Sequence, residues 1–141
     1  MLRLLVPVDG SEVSTRAVEQ LVKMAVLLAE KPEVHLLTVQ GALPQSATRF
    51  VSQQSREAYH REEGEKDLAR ARKILGDAGF AYVHHISVGE PATVIAQFVG
   101  QLKIDLVLMG TRGRGGVAGT LLGSVARSVV QLCDAPVLLV K

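Results

Sequence analysis

The densest chemistry in this chain lies in "MGTRGRGGVAGTLLGSVARSVV", residues 109–130, where six of the 13 glycines fall between Gly110 and Gly123. Glycine permits positive φ and lets a ligand approach the backbone closely. The stretch runs on into a segment of helical spacing. Amide N–H groups at a helix start, with their aligned peptide dipoles, favour an anion such as phosphate. Ser124 adds a hydroxyl near that start, and Arg112 and Arg114 add positive charge for charge-assisted contacts. The chemistry these residues suggest is a grip on phosphate. It is not a P-loop, because no Gly-Lys-Ser/Thr ending occurs in the chain. Nor does "GTRGRG" have the G-x-G-x-x-G spacing, or the place after a first strand, of a dinucleotide fingerprint. On residue types alone, the alternative is a slack linker with incidental glycines.

A second candidate is Asp9, which ends the first apolar run in "LRLLVPVDGS". It reads as a polar contact for a ligand or as a local cap of the turn. Ser124 has a comparable alternative in bonding back to a helix carbonyl. Met109 reads equally as core filler, and Arg112 and Arg114 as solvated charges. The four histidines show no ligand spacing: His84 and His85 are adjacent in a strand and point to opposite faces, His35 belongs to another strand, and His60 to a helix face. Cys133 reads as a small core residue with nothing beside it to activate a thiol. No Ser-His-Asp arrangement has a supporting local motif.

The elements that must position these residues alternate along the chain. Residues 2–8 form a nearly continuous apolar run, as a strand covered on both faces does. A helix follows with Ser11 as N-cap and Ala17, Leu21, Met24, Ala25 and Leu28 at helical spacing, running towards Glu30. Strand 33–39 comes next, then a loop over 40–52, rich in Gly, Pro, Ser and Thr. A charged helix spans about residues 53–78, with Glu57–Arg61 and Glu62–Lys66 four apart in the favourable order. Strand 80–89, a helix opened by Pro91, strand 105–110, a helix over 119–133 and strand 135–140 complete the chain. Strict alternation with apolar strands predicts an α/β fold, a five-stranded parallel doubly wound sheet with helices on both faces. In such sheets ligands bind beyond the carboxyl ends of the strands, where strand order reverses. That rule selects Asp9 and the glycine loop.

Composition is consistent with this reading. At 141 residues, 48% apolar and 21% charged, the chain predicts one globular domain. A net charge of +2 with interleaved signs excludes a strong field for nucleic acid. The start "MLRLLVPVDG" reads as a strand, not a signal peptide, and no apolar run reaches the length of a membrane span. A lone cysteine fits a reducing compartment, so the cytoplasm is expected.

The spacing Gly110-x2-Gly113-x9-Gly123-Ser124 is the G-x2-G-x9-G-[S/T] pattern of ATP-binding universal stress proteins. The chain resembles that family over residues 1–141, through "VPVDGSEVSTRAV", "DLVLMGTRGRGG" and "LLGSVARSVV…APVLLVK". The resemblance implies a Rossmann-like fold of the adenine-nucleotide-binding type, with ATP or a close adenine nucleotide as a regulatory ligand, with or without Mg2+. Carried over by position, Pro7, Val8 and Asp9 lie against adenine and ribose, and Val39 flanks the base. Met109 and Gly110 border the ribose, while Arg112 and Gly113 belong to the loop that folds over the phosphates. Gly123, Ser124, Val125 and Ala126 hold the phosphates through backbone N–H groups and the Ser124 hydroxyl. Some relatives carry a hydroxyl residue where this chain has Ala126, which removes one phosphate or metal contact.

The turn "VDGSEVS" lacks the Ser-Gly-Gly loop of ATP pyrophosphatases, which argues against adenylyl transfer. A slow ATP hydrolase, a nucleotide-independent interaction protein and a cyclic AMP binder remain as alternatives. The last strand, 136–140, is expected at a sheet edge. An apolar edge is covered by pairing with its copy across a two-fold axis, and the resemblance likewise implies a homodimer through this strand.

Overall fold

In the computed structural model, residues 1–113 and 121–141 are described. Five strands, β1 (Arg3–Pro7), β2 (Glu33–Gln40), β3 (Tyr82–Val88), β4 (Leu106–Gly110) and β5 (Val137–Val140), make one sheet. Its order is β3-β2-β1-β4-β5 and every pairing is parallel. The chain steps outward from β1 to β2 and β3, then returns to the other side of β1 with β4 and β5. Strand order therefore reverses between β1 and β4.

Helices α1 (Glu12–Ala25) and α3 (Gln53–Asp77) cover one face; α4 (Pro91–Leu102) and α5 (Ser124–Leu132) cover the other. Each face has its own core, because alternate residues of a strand point to opposite sides. Leu4, Val6, Leu36 and Leu108 pack towards α1 and α3, with Val18, Leu21, Leu68 and Leu75. Leu5, Leu37, Val107 and Met109 pack towards α4 and α5, with Ile95, Val99, Ala126 and Val129. The central strands are buried on both sides, which is why they read as continuous apolar runs.

Local sequence sets the element ends. The Ser11 hydroxyl accepts the Ser14 N–H at 3.3 Å, starting α1. Glu90 caps α4, its carboxylate accepting the N–H groups of Ala92 and Thr93, with Pro91 in the first turn. These bonds, led by the Thr93 hydroxyl, hold the Glu90 carboxyl below its ordinary pKa. Gly64 brings α3 close to β3, since a Cβ there would stand 2.6 Å from the Ile86 methyl.

Three expectations need correction. Helix α1 stops at Ala25, and Val26 and Leu27 are highly exposed, so the apolar spacing out to Leu28 is not helical. The 40–52 segment contains a one-turn helix, α2 (Gln45–Thr48), started by Pro44, whose fixed φ suits a helix start. The last helix begins at Ser124, not near residue 119: Gly123 has extended angles and is its N-cap. Among the described residues, no helix is long and apolar enough to cross a membrane.

Candidate functional site

Where strand order reverses, β1 and β4 pair through Leu4–Leu106 and Leu5–Val107, and a cleft of about 300 Å³ lies at the ends of these strands. That volume stands at the lower end of small-molecule sites, roughly 300–1,000 Å³. Four of the segments that wall it carry the residues selected from the sequence. The β1 end contributes Pro7, Val8 and Asp9, and the β2 end Leu37 and Val39. From β4 and the following turn come Met109, Gly110, Thr111, Arg112 and Gly113. The start of α5 supplies Gly123, Ser124, Val125 and Ala126. All twelve residues selected from the sequence meet at this one cleft. Arg114, Gly115, Gly116 and Gly119 lie outside the described residues.

Asp9 is held by its own turn. One carboxylate oxygen accepts the Ser11 N–H at 3.0 Å, and the Asp9 N–H donates to the Ser14 hydroxyl at 3.3 Å. The other oxygen faces Gly113: a Cβ on Gly113 would stand 2.5 Å from Asp9 Oδ2. The first-strand turn and the glycine loop therefore touch each other across the cleft floor. The capping role of Asp9 and its position at the cleft are compatible, because they use different oxygens.

The motif glycines serve close approach, not positive φ. Among the described glycines, φ is positive at Gly10, Gly79 and Gly89 only. A Cβ on Gly110 would stand 2.6 Å from the Val13 methyl and 3.1 Å from the Val13 backbone, where α1 crosses β4. A Cβ on Gly123 would stand 3.2 Å from the Thr111 carbonyl, which accepts the Gly123 N–H. These two glycines bring the β4 end, α1 and the α5 start together.

No side chain caps α5. The N–H groups of Ser124, Val125 and Ala126 have no intrahelical acceptor, as at any helix start, and these residues line the cleft. The first intrahelical bond is from the Arg127 N–H to the Gly123 carbonyl at 3.0 Å. Ala126 is buried in the core beneath α5. The Ser124 hydroxyl is exposed and Arg112 half-exposed at the rim.

Residue types alone did not single out Ser14, Leu37, Pro91, Ile95 and Thr111, which also line the cleft. Leu37 lies two residues before Val39 and faces the same side. Pro91 and Ile95, four apart on α4, needed the knowledge that α4 leans over β2. Among the described residues, Asp9 is the one carboxylate in the lining, and no cluster of three His, Cys, Asp or Glu side chains suits a metal ion. Burial, then Asp134, pushes the Cys133 thiol up, opposite to an activated nucleophile.

Fold and cleft together define a doubly wound α/β protein with a ligand-sized site at its topological switch point. The chain belongs to the universal stress protein family, whose model matches residues 1–141. It is 31% identical to the universal stress protein MJ0531 of Methanocaldococcus jannaschii, covering 99% of this chain and 81% of that one. Among solved structures it is similar to MJ0577 of the same organism, with a TM-score of 0.81, 30% identity and coverage of 99% and 95%. It is also similar to a universal stress protein in complex with cAMP, with a TM-score of 0.73, 26% identity and coverage of 99% and 97%.

Proposed function

We propose that this protein binds ATP, or a close adenine nucleotide, as a regulatory ligand in the cleft between β1 and β4. One observation carries the reading: the uncapped start of α5 and the Gly110–Gly113 turn face the Asp9 turn across a ligand-sized cleft. Amide N–H groups at Ser124, Val125 and Ala126 suit phosphate oxygens, with Arg112 adding charge at the rim. The apolar wall of Val39, Leu37, Pro91 and Ile95 suits the base, and Asp9 the ribose. A relative that binds cAMP supports adenine as the base. Mg2+ fits as a companion of the phosphates, since it is commonly bound through one or two carboxylates plus phosphate oxygens, and Asp9 is the one carboxylate in the lining among the described residues.

Binding is favoured over hydrolysis by the make-up of the lining. Hydrolysis needs a positioned water, commonly a metal and often a base, and among the described lining residues Asp9 is the one carboxylate to serve them. In this reading the occupied protein is a cytoplasmic homodimer, paired through strand 136–140, and nucleotide rearranges residues 40–52 to alter a partner surface.

Mass spectrometry of nucleotide released from gently purified protein tests the central claim. An adenine nucleotide is expected. Finding none, together with no ATP binding at millimolar concentration, refutes it. Timed detection of ADP, with and without Asp9→Ala, separates a binder from a slow hydrolase. Unchanged hydrogen exchange over residues 40–52 on adding ATP would refute the rearrangement.

A further inference from the structure

Below the cleft, on the same sheet face, three titratable groups form a continuous hydrogen-bonded chain. His35 of β2 is 6% exposed. Its Nε2 lies 2.8 Å from Glu33 Oε1, and its Nδ1 lies 3.0 Å from Nε2 of His85 on β3. The two rings are 18° from coplanar with centroids 5.3 Å apart. With the nitrogens at 3.0 Å, the rings meet end to end, as in an N–H···N hydrogen bond. Two histidines on one metal ion would instead aim their lone pairs at a third point.

The proton pattern follows from Glu33. Its carboxyl is held below the ordinary range, first by the His35 hydrogen bond and further by the Arg3 charge, so it is an acceptor only. His35 Nε2 must then carry hydrogen, which leaves Nδ1 as acceptor and His85 Nε2 as donor. One added proton makes His35 an imidazolium whose Nδ1–H donates to Nε2 of a neutral His85, which now carries its hydrogen on Nδ1, and the chain survives. A second proton puts N–H against N–H, with two cations in contact. The bond cannot persist in that state.

Other charges near the pair are few. Arg3 of β1 faces Glu33 at 3.6 Å, and the N-terminal amine adds positive charge near the same carboxylate. Burial, then the charge of His35, then that of His84 on the opposite face, hold His85 below the ordinary histidine value, and His84 lies 3.8 Å from Glu65 of α3. Helix α4, packed over the pair, carries no titratable side chain.

The pair is also connected to the cleft. His85 lies opposite Leu37 in register, and Leu37 lines the cleft. The His85 ring meets Phe98 of α4 edge-on at 5.1 Å. Phe98 and the cleft residue Ile95 are three apart on α4, hence neighbours on one face. β3 is an edge strand, so a released His85 ring has solvent to move into.

We propose that Glu33, His35 and His85 form an acid-operated latch that lowers nucleotide affinity when it binds its second proton; this rests on the nucleotide-binding reading above. The closed latch fixes the Phe98 side of α4 and with it the Pro91–Ile95 wall. Opening it removes that support. By linkage, nucleotide in turn opposes the second protonation.

Two measurements test this. Ring-nitrogen NMR of the nucleotide-free protein, titrated over about pH 8 to 5, should show a hydrogen-bond coupling between His35 Nδ1 and His85 Nε2 that disappears as the pair takes up its second proton. No coupling at neutral pH, or a coupling that persists at the acid end, overturns the latch. AMP affinity of the wild type should fall by about tenfold more than that of His85→Gln between about pH 7.5 and 5.5. The glutamine still donates to His35 but cannot take a proton, and the phosphate ionisation near about pH 6 affects both proteins alike. Phe98→Leu should keep the acid loss of the His35–His85 hydrogen bond while losing the pH dependence of affinity. An unchanged pH dependence in His85→Gln overturns the coupling. If AMP binds at no pH, the nucleotide reading fails and the coupling with it, while the ring titration independently decides the latch.

Discussion

Gly110 and Gly113 belong to one motif yet make opposite demands on a mutant. A Cβ at position 113 meets the end of the Asp9 side chain, whereas at position 110 it meets both a methyl and the backbone of Val13. Side-chain ends move cheaply and packed backbones do not. Gly113→Ala should therefore leave the melting temperature nearly unchanged while ATP affinity, followed by calorimetry, drops at least about tenfold through displaced Asp9. Gly110→Ala should destabilise the fold itself by about 1–3 kcal/mol, the usual cost of overpacking, seen in urea unfolding. Equal loss of stability in both would contradict this division. Both glycines were legible from spacing, but the different reasons for them were not, since Val13 and Asp9 become neighbours only when α1 and β4 pack.

Helix starts are the devices that hold the cleft open to its ligand. Ser11 and Glu90 cap α1 and α4 with their own side chains, while α5 begins on Gly123 with no side-chain cap. Ser11→Ala should cost about 0.5–2 kcal/mol in urea denaturation, and it should also slacken the turn that holds Asp9. Glu90 supplies a pH-dependent part of stability. Its folded pKa is depressed, so the contribution is complete above the unfolded value and is lost as pH falls through the folded one. Thr93→Val, which deletes the 2.6 Å hydroxyl bond to Glu90, should raise the Glu90 pKa measured by carboxyl NMR. No change would show that the two backbone N–H groups alone set it. Element ends were the least legible feature of the sequence. The apolar residues 26–28 continue the spacing of α1 but lie exposed beyond its end, because no core face remains for them to cover.

For the whole molecule, the sheet order decides both where a ligand sits and which edges remain open. β5 and β3 are the two edges. β5 is short, apolar and half-exposed along its length, and its neighbour α5 exposes Val130 and Leu132. The proposed homodimer through β5 would cover these groups, and sedimentation at micromolar concentration is expected to give a dimer; a monomer there refutes it. The β3 edge carries the proposed histidine latch, so acid sensitivity and the proposed self-association would fall on opposite edges of the sheet. A dimer that persists from neutral to mildly acidic pH, while AMP affinity falls, is the behaviour this separation predicts.

Alternation of apolar runs with helical spacing determined the parallel α/β class. The glycine spacing with Asp9 determined which strand ends matter, because backbone approach and strand burial leave their marks on single residues and their neighbours. Tertiary structure alone decided the rest. Pro91 and Ile95 reach the cleft because α4 crosses over β2, and α5 starts at Ser124 because Gly123 is pinned to the Thr111 carbonyl. His35 and His85, 50 residues apart, become hydrogen-bonded partners through the register of β2 and β3. Register and packing are properties of pairs of segments, and no single stretch of sequence contains both members.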